Sequence, residues 1–170
     1  MSASEGQSAR AESLAEFAQR RGLELLRFAY LVAGDRQRAE DLLQEVLLAM
    51  YRRFGDALPL DNPSGYARRA IVHANISWGR RAASRELPTD AFPDAAAAVD
   101  DPAQRDELWQ ALRRLPIRQR TVLVLRFYAD ATDPEIAEAL GCRRGTVRSL
   151  ASRALTALRA DPSFAGGGKR

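Results

Sequence analysis

Between Asp35 and Phe54 the apolar residues Ala39, Leu42, Leu43, Val46, Leu47, Met50 and Phe54 recur at intervals of three and four without a break. That period belongs to a helix, where residues so spaced share one face. Asp35 is placed to accept from the first free amides and so to start it. A single helix cannot shelter its own stripe from water, so the rest of the chain must supply partners for it.

Those partners are also helical. Leu14, Phe17, Leu25, Phe28, Ala29 and Val32 mark a helix over 13–32 that stops at Gly34, where a residue free to take positive φ ends a helix well. The loop Gly55 to Asn62 contains Pro59. Asn62-Pro63 then offers a cap followed by proline at the first helical position, opening a helix to about Arg81. Apolar residues make up 46% of the 170-residue chain and aromatics only 7%, so a core must be built mainly from Leu, Ala and Val. No strand alternation, internal repeat or heptad seam is present.

From Glu86 to Glu107 the character changes. Pro88, Pro93 and Pro102 and a run of alanines lie among Glu86, Asp90, Asp94, Asp100, Asp101, Asp106 and Glu107, with Arg105 the one base. This is the composition of a flexible acidic linker. Helical spacing resumes at Leu108, Leu112 and Leu115 and again, beyond Pro116, at Val122, Leu123 and Leu125. The expected fold is all-α: two small helical domains, 13–85 and 105–160, joined by a linker over 86–104, with disordered ends at 1–12 and 161–170. A linker of this kind leaves the spacing of the two domains undefined.

Thr132-Asp-Pro-Glu135 has the pattern of a capping box, in which the Thr hydroxyl and the Glu carboxylate each satisfy the other's free backbone amide. It opens a short helix ending at Gly141. After the turn Gly141-Cys142-Arg143, a longer helix carries Val147, Leu150, Ala151, Ala154, Leu155 and Leu158 on one face. The pair has the layout of a helix-turn-helix. With Ile136, Ala137 and Leu140 packed on Val147 and Ala151, the outer face presents Arg143, Arg144, Thr146, Arg148, Ser149, Ser152 and Arg153. No acid occurs from Gly141 to Ala160. Hydrogen-bond donors without acids suit a helix in the major groove, because phosphates and guanine edges both accept.

A second acid-free basic run extends from Ser64 to Arg85, with Arg68, Arg69, Arg80 and Arg81 interleaved with Tyr66 and Trp78. Cations beside rings suit single-stranded DNA, whose unpaired bases stack while arginine follows the backbone. The near-helical spacing of Tyr66, Ala70, Ile71, Ala74 and Trp78 equally suits a core face. The formal charge of +4, nearly all of it arginine since Lys169 is the one lysine, agrees with a nucleic-acid partner.

Enzyme classes are disfavoured. There is no glycine-rich phosphate loop, and the lone His73 and Cys142 offer neither a nucleophile with its base nor a metal site. No cofactor is expected. A single cysteine and the lack of a signal peptide or an apolar run of spanning length point to a cytoplasmic protein with no membrane insertion.

Two segments carry a resemblance. Asp35-Arg-Gln-Arg-Ala-Glu-Asp-Leu-Leu-Gln-Glu-Val is similar to the helix by which sigma factors grip the clamp of bacterial RNA polymerase. Leu115-Pro-Ile-Arg-Gln-Arg-Thr-Val-Leu-Val-Leu-Arg-Phe-Tyr, with Glu135-Ile-Ala-Glu-Ala-Leu-Gly-Cys and Gly145-Thr-Val-Arg-Ser, resembles their promoter-binding C-terminal domain. In this order and at this size the chain resembles the extracytoplasmic-function sigma factors, and Tyr66-Ala-Arg-Arg with Ser77-Trp78 an actinobacterial branch of them.

The resemblance implies a non-enzymatic subunit that directs core polymerase to promoter DNA, with an anti-sigma protein as a further candidate partner. It implies polymerase contacts at Asp41, Gln44, Glu45 and Leu48, and minus-ten recognition by Asn62, Ser64, Tyr66, Arg68, Arg69, Trp78, Arg80 and Arg81. The loop Gly55 to Asn62 would hold a flipped base, a step needing a fitted pocket. Minus-thirty-five recognition falls to the outer face of the last helix, and Leu108, Leu112 and Leu125 are either polymerase contacts or core. Leu150, Ala151, His73 and Gly79 depart from the family's usual residues. The alternative reading is a free-standing helix-turn-helix regulator, which would bind its duplex site without polymerase.

Overall fold

Several of the helices start and stop where local chemistry dictates. The computed structural model describes residues 11–84 and 107–162; the expected linker 86–104 lies outside the described residues, as do nearly all of 1–12 and 161–170. Helix α1 (Leu14–Ala33) is opened by a capping box of Ser13 and Glu16 and closed at Gly34, whose φ of 76° is left-handed. Asp35 accepts from the Arg38 amide at 2.7 Å and starts α2 (Arg36–Phe54). Asn62 Oδ1 accepts from the Gly65 amide at 2.9 Å and starts α3 (Pro63–Ser84).

These three helices form the first lobe around Phe17, Leu25, Phe28, Val32, Leu42, Val46, Met50, Ile71 and Val72, all buried. The loop between α2 and α3 is tied to the start of α1, the Leu14 amide donating to Asp56 O at 2.7 Å and the Leu58 amide to Glu12 O at 3.0 Å. Leu58 is thereby buried with the core. The periodicity gave no sign of this, since the residue stands outside any helix.

The second lobe comprises α4 (Glu107–Arg114), α5 (Ile117–Leu123) running on into a π-helical turn (Val124–Tyr128), α6 (Asp133–Leu140) and α7 (Arg144–Ala160). The capping box of Thr132 and Glu135 is present, Pro134 sits in the first turn, and Gly141 closes α6 at φ 59°. Val147, Ala151 and Ala154 face inward from α7. No strand occurs among the described residues; the one β-bridge joins Ser13 to Ala57.

The lobes are docked: one apolar cluster runs from Phe17 and Phe28 through Val122, Val124 and Leu125 to Ile136 and Val147. Tyr30 of α1 stacks on Trp109 of α4 with ring centroids 4.2 Å apart. The polar centre of the joint is Arg120 of α5, only 4% exposed. Its Nε donates to Val32 O at 3.0 Å and its Nη2 to Ala33 O at 3.0 Å, while Nη1 donates to Arg113 O and Leu115 O, each at 3.2 Å.

The physical reason lies in α1. The last carbonyls of a helix have no intrahelical partner and carry partial negative charge, and the last turn of α1 has no basic residue of its own. Arg120 supplies the cation from the other lobe. Gly34 makes room for it, since a Cβ there would lie 3.1 Å from Arg120 Cζ. Burial, and then the nearby Arg113, lower the guanidinium to about 10, so it keeps its proton at neutral pH.

Candidate nucleic-acid and polymerase interface

Three surfaces gather the residues singled out in the sequence. The first is the outer face of α7, where burial of Val147, Ala151 and Ala154 turns the opposite side outward. Arg143, Arg144, Thr146, Arg148, Ser149, Ser152 and Arg153 are all exposed together on it. Arg148 makes a long ion pair to Asp133 at 3.5 Å, and Arg143, Arg144 and Arg153 have no ion pair among the described residues. Leu150 is half-buried against the core, and Ala151 is buried on the inner face of α7. Asp133 is held below the ordinary carboxylate range chiefly by its hydrogen bond from Arg126, so the start of α6 is fastened to the π-helical turn.

The second surface is α3, where the side chains are largely committed. Arg68 is hydrogen-bonded to Glu24 of α1 and lies over the Phe28 ring. Trp78 lies under Arg38, whose Cζ is 4.8 Å from the ring centroid. Tyr66 meets Phe54 edge-on at 5.4 Å and packs against the core. Asn62 spends its carbonyl oxygen on the helix cap, and Ser64 is half-buried. Arg69, Arg80 and Arg81 remain exposed, as does His73.

Across from this face stands α6. A cleft of about 240 Å³ has Asn62, Arg68 and Arg69 on one wall and Asp130, Glu135 and Glu138 on the other. A neighbouring groove brings Tyr66, Arg69 and His73 beside Glu138. Thr132 and, more weakly, Arg69 hold the Glu135 carboxyl below its ordinary range.

The third surface is on α2. Asp41, Gln44, Glu45 and Leu48 are all exposed on one side, with Leu48 48% open to solvent. Tyr51, 55% exposed, extends the same face. The sequence reading omitted Tyr51, although it stands three residues beyond Leu48 in the same periodic series. Of the three leucines expected to be either polymerase contacts or core, Leu125 is buried, Leu112 half-buried and Leu108 exposed. The lobe joint at Arg120 was also missed, because an arginine flanked by Gln119 and Thr121 gives no signal of burial until the helix end it meets is located.

Among the described residues no group of His, Cys, Asp and Glu could hold a metal ion, and no helix is long and apolar enough to cross a membrane.

A three-helix lobe with an exposed polar helix face, followed by a lobe that ends in a helix-turn-helix with a bare cationic helix, defines a DNA-binding transcription factor of two parts. The family model described as Sigma-70 region 2 matches residues 17–85, and that described as Sigma-70, region 4 matches residues 105–158. The chain belongs to the sigma-70 family, and within it to the extracytoplasmic-function sigma factors, the subunits that direct bacterial RNA polymerase to its promoters.

The RNA polymerase sigma-E factor of Streptomyces avermitilis is 34% identical over 148 residues, covering 86% of this chain and 83% of that one. The ECF RNA polymerase sigma factor SigM of Mycobacterium tuberculosis is 31% identical, covering 77% of this chain and 67% of that one. Among solved structures, the extracytoplasmic-function sigma factor SigJ of Mycobacterium tuberculosis superposes with a TM-score of 0.60 at 29% identity, covering 88% of this chain and 54% of that longer one. The sigma factor RpoE bound to the anti-sigma factor NepR from Bartonella quintana shares the fold, with a TM-score of 0.64 at 24% identity over 85% of this chain and 94% of that one.

Proposed function

We propose that this sigma factor divides promoter recognition between its two basic segments: α7 reads the minus-thirty-five duplex and α3 the opened minus-ten strand, while α2 holds core polymerase. The observation that carries this reading is the outer face of α7, where seven donor-bearing residues stand exposed together and no acid interrupts them. Arg forks there can pair bidentately with guanine edges or follow phosphates, and Thr146 and Ser152 add short donors that reach only what lies close, while the Ser149 hydroxyl donates to Gly145 O at 3.1 Å.

On α2, Asp41, Gln44 and Glu45 offer acceptors beside the exposed apolar Leu48 and Tyr51, the mixture a protein docking surface needs. The site of action is the cytoplasm, where the polymerase works. The related structure with a bound anti-sigma factor supports a similar partner for this chain. Transcription from a promoter library by core polymerase tests the reading directly. Promoter-specific transcripts are expected only when the protein is added. Sequence-specific, tight duplex binding by the chain alone, with no effect on transcription, would favour the free-standing regulator instead.

A further inference from the structure

A single carboxylate joins three elements of the second lobe. Asp133, the first residue of α6, accepts through Oδ1 from Arg126 Nη2 of the π-helical turn, and its Oδ2 faces Arg148 Nε of α7 at 3.5 Å. The Asp133 side chain is 26% exposed and that of Arg148 76%. A fastened acid thus stands beside the stem of an otherwise free cation. Its carboxyl lies below the ordinary range chiefly through Arg126 and to a lesser degree through Arg148, so it is charged at neutral pH.

Arg148 differs in this from its neighbours on the outer face. Arg143, Arg144 and Arg153 are exposed and have no ion pair among the described residues, so each must give up its rotamer freedom when it meets DNA. A guanidinium that is already oriented gives up less. Because Nε is the atom turned to Asp133, both Nη groups are left for a ligand, and that end-on fork matches guanine O6 and N7. The pair is weak in water, being long and exposed. A duplex laid on α7 displaces the water that screens it, and the orienting force rises where it is needed. An acid beside this face also repels phosphates, so it cannot serve general attraction to DNA. What it adds is direction.

We infer that Asp133 is a positioning residue for base readout: it orients Arg148 so that this arginine reads a guanine of the minus-thirty-five duplex. Asp133 acts through Arg148 and touches no base itself. The inference rests on the assignment of α7 to that duplex made above.

The experiment uses holoenzyme carrying Asp133→Asn, Arg148→Ala, both together, or Arg143→Ala. Asparagine keeps an oxygen to accept from Arg126 while its amide has no charge to hold Arg148. The probes are a promoter duplex recovered from library transcription, a panel in which each minus-thirty-five base pair is changed in turn, and a scrambled duplex. Asp133→Asn and Arg148→Ala should each lower the preference at the same G·C pair by about tenfold, and the double variant should lose no more than Arg148→Ala alone. Asp133→Asn should bind the scrambled duplex at least as tightly as the unaltered protein, since a negative charge has been removed. A merely structural role for Asp133 would not produce that opposite pair of changes.

Unaltered preference at every base pair in Asp133→Asn overturns the inference. So does an equal loss of affinity for all duplexes, or losses that fall on different base pairs or add in the double variant. Any of these, obtained while Arg143→Ala still weakens duplex binding, strikes the role of Asp133 and leaves α7 as the duplex reader. If neither Arg148→Ala nor Arg143→Ala changes binding to any duplex, the assignment of α7 falls, and the inference with it.

Discussion

The segments Ser64 to Arg85 and Gly141 to Ala160 are alike on paper, each rich in arginine and free of acids, yet the fold uses them differently. On α7 the cations stand in solvent, and the one ion pair made by Arg148 is long and exposed. On α3, Arg68 is held by Glu24, Trp78 lies under Arg38, and Arg69 faces carboxylates from α6. Absence of acids within a segment therefore says little about its availability, because the acids that engage it come from α1 and from the other lobe. What distinguishes a reading surface from a covered one is its neighbours in space.

The largest way to break this contrast is to remove the clasp that keeps the lobes together. Arg120→Ala leaves Val32 O, Ala33 O, Arg113 O and Leu115 O without the charged donor. A hydrogen bond to a charged group contributes about 1.5 to 3 kcal/mol, and buried acceptors left unmet add a further cost. Urea unfolding should show a loss of about 3 kcal/mol or more, and the lobes should separate before either unfolds. Arg120→Lys should recover only part of this, since one ammonium cannot span four carbonyls on two helices. Full stability in Arg120→Ala would show that the apolar joint suffices without its polar centre.

A smaller change sharpens the contrast from the side of α7. Arg153→Ala, and separately Arg148→Ala, should weaken minus-thirty-five binding by about 1 to 3 kcal/mol where the side chain reads a base, and by less where it meets a phosphate. Neither should impair transcription from a promoter opened beforehand as a mismatched bubble, because α3 is untouched. If both variants lose that transcription while remaining folded, α7 does more than read duplex, and the proposed division between the segments is wrong.

The smallest expected effect concerns how α6 is held. Thr132→Ala removes the hydroxyl half of the capping box, a change that costs about 0.5 to 2 kcal/mol at such a position. Hydrogen exchange at the first turn of α6 should rise. The Glu135 and Asp133 carboxyls lie below their ordinary range in the folded chain, so the unfolded chain binds protons more readily than the folded one as the solution is acidified. Their stabilising contribution is present above about pH 4 and is lost as pH falls through their folded values. Glu135→Gln should flatten that acid sensitivity at α6, measured as amide exchange against pH.

Much of this was legible along the chain. The stripe from Ala39 to Phe54, the stops at Gly34 and Gly141, the proline opening α3 and the Thr132-Glu135 box all depend on residues within a few positions of each other, and each appears where expected. The exposed face of α7 followed from the same local periodicity, since burying Val147 and Ala151 leaves its opposite side outward. Leu58 escaped detection because a loop residue has no period, and its burial is decided by the start of α1 that pairs with it.

Helix period, capping and charge act over one or two turns, so most of the helices, their faces and the residue types that can bind DNA are written in the local order of the chain. That Arg120 closes the end of α1, that Glu24 holds Arg68 and that α6 lies across α3 depends on packing between distant segments. The physical reason is separation: Arg120 stands 87 residues from the carbonyl of Ala33 that its Nη2 meets. An unpaired helix end and a distant buried cation become one interaction only once packing brings them together.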